Sequence, residues 1–215
     1  MKKQKQWIDV VMLLLLPLLM TYELIGQATH EYLGLAMTAL LIAHHLLNHS
    51  WYQHLFKGKY TRQRIVMTTL DILLLVLLAV QAVSGIMMAK HALNFLPHVG
   101  RRSIARTLHM AGAYWSFVLM NVHAGLHLRP LLRKVRKCPA YSYLRIFVLM
   151  FGLYGIFAFF KRQLPGYMFF QLQFAFFDFD EPLVYFLLDY LALMLLFMIC
   201  GAGLQSLLQQ RNRLA

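Results

Sequence analysis

Four histidines lie in otherwise apolar sequence at one repeated spacing: His30 and His44 in HEYLGLAMTALLIAHHLLNHSWYQHLF (30–56), and His109 and His123 in RTLHMAGAYWSFVLMNVHAGLHLR (106–129). An α-helix turns ~100° and rises ~1.5 Å per residue, so this spacing brings two imidazoles within ~40° of one face and ~21 Å apart along the axis. Each stretch therefore presents two rings to one side at two depths. Neutral imidazole is a standard axial ligand of haem iron, and two of them leave a centre suited to electron transfer rather than oxygen binding. Two such helices can hold two flat macrocycles between them, stacked in tiers, each iron taking one imidazole from each helix.

A buried polar ring in hydrocarbon needs a partner, and a single membrane histidine most simply donates a hydrogen bond to a neighbouring helix. Two matched pairs favour ligation over that reading. Gly34, one turn after His30, and Gly112, three residues after His109, leave both helices without a side chain near the outer ligands, where a porphyrin needs room. Gly125 is a weaker case. His45 is an alternative inner ligand to His44, and His49 follows one turn later. His127, beside Arg129, suits a propionate or headgroup contact, with ligation as its alternative. Arg106, with Arg101 and Arg102, can pair with outer propionates through bidentate contacts, although a basic interfacial belt explains the three equally well. Glu23, Glu31 and Asp189 are acids at or inside apolar runs that can accept protons; interfacial solvation is the simpler role for the two glutamates. His54, His91 and His98 read as solvated surface, and the thirteen methionines as bundle packing.

The elements that carry these residues are membrane helices. The chain has 215 residues, is 60% hydrophobic and has a mean hydropathy of +0.57, with several runs long enough to cross a bilayer. Its formal charge of +13 sits in short clusters between those runs, which points to topology and not to a nucleic-acid partner. Cys138 and Cys200 form no CxxC, CxxCH or zinc pattern. Six spans are expected, at about 7–27, 30–56, 67–89, 106–128, 141–160 and 183–208, the first a retained helix and not a cleaved leader. Ser84-Gly85 permits close helix approach in the third. The fold class is thus an all-α polytopic bundle. Residues 1–128 form a four-helix haem-binding core, and residues 129–215 add two helices joined by an acidic, aromatic interfacial loop at 161–182. Lysine and arginine concentrate in loops on one side, so the positive-inside rule places both termini in the cytoplasm. The second and fourth spans then run in the same direction, with His30 level with His109 and His44 level with His123.

The ordered motifs His30-Glu31-x-x-Gly34, His44-His45-x-x-Asn48 with Trp51, Ser84-Gly85-Ile86, and His109 followed by Val122-His123-x-x-x-His127 resemble the flavinylation-associated cytochrome family of small bacterial membrane proteins. The likeness covers roughly residues 7–128; spans five and six lie outside it. It implies a haem b conduit in a bacterial plasma membrane, working with an extracytosolic protein that carries covalently attached flavin. The histidine pairs alone are similar to those of cytochrome b subunits of quinol-oxidising complexes, which makes quinone a candidate partner beside membrane lipid. The expected function is electron relay through two bis-histidine b haems, between a quinol or cytoplasmic donor and an external flavoprotein acceptor, as an electron-transfer subunit more than a stand-alone enzyme. Two other readings stay open: a non-catalytic anchor or scaffold subunit of a redox complex, and a transporter with a histidine proton relay.

Overall fold

In the computed structural model, residues 2–95, 102–172 and 180–214 are described, and among them the chain is entirely helical. The order is α1 (Lys2–Leu19), α2 (Tyr22–Leu47), α3 (Ser50–His54), α4 (Arg62–Met88), α5 (Arg102–His127), α6 (Arg129–Val135), α7 (Tyr141–Lys161), α8 (Leu164–Met168) and α9 (Leu183–Leu214). Three of these, α4, α7 and α9, are long and apolar enough to cross a membrane. The other three long helices, α1, α2 and α5, are interrupted by lysine, arginine or histidine, the residues from which the candidate site is built.

Helix boundaries follow local backbone chemistry more closely than hydropathy. Pro17 cannot donate a backbone hydrogen bond, and α1 ends two residues later in tight turns, Met20 N to Pro17 O at 3.1 Å and Thr21 N to Leu18 O at 3.1 Å. The helix is interrupted at Met20-Thr21, but the chain reverses near Gly26, close to the expected end of the first span, so that Lys5 meets Asn48, Asp9 meets His44 and Tyr22 meets His30. α2 then bends at Gly26, whose φ of 77° and ψ of 162° suit glycine alone. His30 follows that bend by one turn. At the far end Asn48 stops α2: its backbone N–H donates to His44 O at 3.0 Å and its side chain to the same carbonyl at 2.8 Å. The stretch 30–56 is consequently one long helix and the short α3. α4 starts at Thr61, whose hydroxyl accepts from Arg64 N at 3.3 Å.

α9 forms the wall on which α5 and α7 both pack, and α4 packs along α5. At the α5/α9 crossing Gly125 and Gly201 stand so close that a Cβ on Gly201 would lie 3.1 Å from Gly125 Cα. α1 and α2 form a hairpin that leans on this body through α4 and α9, and Met37 of α2 joins Phe117 and Val118 of α5 in one apolar core.

The stretch 161–182 is only partly a loop. Leu164, Tyr167 and Met168 of α8 are buried, Trp115 Nε1 donates to Met168 O at 2.9 Å, and the Tyr114 and Tyr167 rings stack at 4.5 Å. Asp178 and Phe179 lie outside the described residues. Asp189, with 1% of its side chain exposed, accepts from Tyr154 Oη at 2.6 Å, Lys161 Nζ at 2.9 Å and Arg162 Nε at 2.8 Å. Arg162 also pairs with Glu181 at 2.6 Å and holds that carboxyl below its ordinary range. These charges clamp the ends of α7 and α9 together.

Candidate functional site

His30 from α2 and His109 from α5 approach each other with ring centroids 6.2 Å apart and ring planes at 75°. His109 is seated by α4. Its Nδ1 lies 3.1 Å from Ser84 Oγ, which itself donates to Val80 O at 2.7 Å, and a Cβ on Gly85 would touch the ring at 3.3 Å. With its one proton committed to Val80, the hydroxyl accepts from Nδ1–H and leaves Nε2 of His109 as a bare acceptor. Tyr22 meets His30 edge-on at 5.2 Å, and Arg106 lies within electrostatic range of Tyr22. His30 Nδ1 is buried and makes no hydrogen bond of ordinary geometry.

Glu31 is occupied elsewhere. It accepts from the backbone N–H groups of Lys90 at 2.9 Å, His91 at 2.7 Å and Ala92 at 2.9 Å, and from Gln27 Nε2 at 2.9 Å. Its work is to tie the turn after α4 to α2, and solvation is not its role. Asp189 serves the clamp described above, remote from the histidines.

The cluster around His44 and His123 gathers side chains from five helices. His44 Nδ1 lies 2.8 Å from Asp9 Oδ1 of α1, and His123 Nδ1 lies 2.9 Å from Asp71 Oδ1 of α4. His45 meets Tyr52 Oη through Nδ1 at 2.8 Å and lies within electrostatic range of Asp71 and His123. The His127 ring lies 4.8 Å from that of His123, tilted by 54°, and within electrostatic range of Asp71, Asp9 and His44. The Asp9 hydrogen bond takes up Nδ1 of His44 and leaves its Nε2 for a ligand, whereas Asp71 approaches His123 Nδ1 outside hydrogen-bond geometry.

The glycines divide. A Cβ on Gly34 would meet nothing within 4 Å, so the space beside the outer ligands is open on α2. Gly112 faces the other way: its missing side chain makes room for Gln81 of α4, whose Oε1 would stand 2.8 Å from a Cβ, and this departs from the expectation of porphyrin clearance there. Gly125 serves the α9 crossing. His49 and His54 bond to backbone carbonyls of their own turns, His91 is exposed, and His98 and Arg101 lie outside the described residues. Among the described residues no group of three or more His, Cys, Asp or Glu side chains converges on a metal ion. Of the four histidines at the repeated spacing, His30 and His109 approach ring to ring, which suits a macrocycle that brings its own four equatorial ligands, while the ring neighbours of His44 and His123 are His45 and His127.

Asp9, Asp71, Ser84, Tyr22 and Tyr52 join the site without having been expected there. Asp9 and Asp71 did carry a signal, since each is the one acid in its long helix and an acid at membrane depth calls for a partner. Compared with family models, with curated proteins and with solved structures, the chain matches none.

Proposed function

We propose that the chain is a transmembrane electron-transfer cytochrome of the b type, holding two haems between α2 and α5. His30 and His109 would be the axial ligands of the outer one, and His44 and His123 of the inner. The observation that carries this reading is the His30–His109 pair. Two imidazoles bound to one metal at ~2.0 Å each, with ~1.2 Å from nitrogen to ring centre, have centroids ~6.4 Å apart, and the observed separation is 6.2 Å. Further support comes from the free Nε2 of His109 and the open space at Gly34. Haem supplies reversible one-electron exchange at such a site. The residues of the chain orient the ligands, and Arg106 is placed to pair with an outer propionate.

The motif likeness to flavinylation-associated cytochromes supports a bacterial plasma membrane setting, with both termini cytoplasmic and an extracytosolic flavinylated protein as acceptor. Quinol or a cytoplasmic protein is the proposed donor. A second reading is favoured by the inner cluster alone, because linked carboxylates and imidazoles also form a proton relay of the kind a transporter uses.

A reduced-minus-oxidised spectrum of protein purified from haem-replete cells separates the two. The cytochrome reading expects a bis-imidazole b-type signal at two haems per chain, falling to one in His30→Ala, His109→Ala, His44→Ala and His123→Ala. Absence of haem overturns it in favour of the relay. A larger loss in His45→Ala than in His44→Ala would move the inner ligand by one residue.

A further inference from the structure

The two tiers are built from the same ligand type and yet backed by different chemistry. At the outer tier His109 Nδ1 meets a neutral hydroxyl, Ser84 Oγ at 3.1 Å, and His30 Nδ1 has no ordinary partner. At the inner tier a carboxylate from a different helix stands beside each imidazole: Asp9 Oδ1 is hydrogen-bonded to His44 Nδ1 at 2.8 Å, and Asp71 Oδ1 lies 2.9 Å from His123 Nδ1 as a charge contact outside hydrogen-bond geometry. Lys5, one turn before Asp9, is engaged with Asn48 Oδ1 at 3.1 Å.

An imidazole that shares its Nδ1 proton with a carboxylate is polarised toward imidazolate, so its Nε2 becomes a stronger electron donor to a metal. The carboxylate charge also favours the more oxidised, more positive state of that metal. A serine hydroxyl does neither to a comparable degree. Resting on the dihaem reading above, we infer that Asp9 and Asp71 are positioning residues that set the inner haem site at a lower reduction potential than the outer one. An electron arriving at the N-terminal end of the bundle then moves downhill across the ~21 Å between tiers. The transfer oxidises the inner site by one electron and reduces the outer by one, with no proton needed at either. The chain is thereby biased to export electrons.

The two carboxylates are not equivalent. The Asp71 side chain is 20% exposed against 52% for Asp9, and a less solvated charge is screened less. Asp71 is the stronger lever.

Full-length protein loaded with haem b, in nanodiscs, is titrated optically against potential in wild type, Asp71→Asn, Asp71→Glu, Asp9→Asn and Ser84→Ala. Asparagine keeps an acceptor of the same shape and removes the charge. Two waves are expected in wild type. Asp71→Asn raises the lower wave with both haems retained, Asp71→Glu holds it near wild type, Asp9→Asn raises it by less, and Ser84→Ala moves only the upper wave. In haem-free protein, nitrogen NMR is expected to find His123 protonated at Nδ1 in wild type and in Asp71→Glu. A lower wave unmoved in Asp71→Asn with two haems bound overturns the inference and spares the dihaem reading, as does a shift confined to the upper wave. Failure of the wild type to bind haem overturns both.

Discussion

A histidine ring in an apolar helix is defined by what holds its second nitrogen. Ser84 on α4 does this for His109 and Asp9 on α1 for His44, while Asp71 on α4 brings its charge to His123, so the histidine-bearing helices α2 and α5 depend on neighbours for their chemistry. The same logic governs the cluster at the other side of the bundle. Asp189 is buried and accepts from Tyr154, Lys161 and Arg162, while Glu181 shares both cations. Removing it leaves those donors facing a void. Asp189→Ala is expected to cost ~1–3 kcal/mol, the usual penalty for stranding buried polar partners, read as a lower unfolding midpoint in detergent. Because the cluster is far from the histidines, haem content should be unchanged.

Helices here are positioned by small backbone features. The bend at Gly26, in a conformation open to glycine, sets the direction of the helical turn that delivers His30 to His109. The same reversal at Gly26 sets Asp9 level with His44 and Lys5 level with Asn48 in the hairpin. At the α5/α9 crossing, backbone approaches backbone: a Cβ on Gly125 would strike the Met198 carbonyl and lie 3.0 Å from Gly201 Cα. Gly125→Ala must push the helices apart, and overpacking of this kind costs ~1–3 kcal/mol. Gly203→Ala, where nothing lies within 4 Å, is the matched control and should be neutral. Thermal unfolding of the two variants side by side checks this.

The bundle has two unequal halves. One is a compact slab of α4, α5, α7 and α9, tied by glycine contacts and the Asp189 clamp; the other is the α1–α2 hairpin, which leans on it and brings His30 to His109. Basic residues of α6 and its surroundings lie at the end of α5 that carries His123, the same end as Asp9 and the N-terminal lysines. Exposed Cys138 belongs to this end. A membrane-impermeant thiol reagent should therefore label Cys138 in inverted vesicles and leave it unlabelled in intact cells; labelling of intact cells would reverse the proposed orientation.

Hydropathy alone gave a helical membrane chain, and the helical phase of 3.6 residues per turn gave two pairs of rings on two faces, because both are properties of a single helix. That His30 faces His109, that Ser84 and Asp9 seat two of the rings, and that Gly112 serves Gln81 all depend on which helices become neighbours. No spacing within one helix encodes the identity of the next helix across. Likewise Asp189 acquired its partners only when α7 and α9 came together, since the residues it binds are separated from it by 27 to 35 positions. A lone acid in an apolar run announces that it needs a partner; packing decides which one it finds.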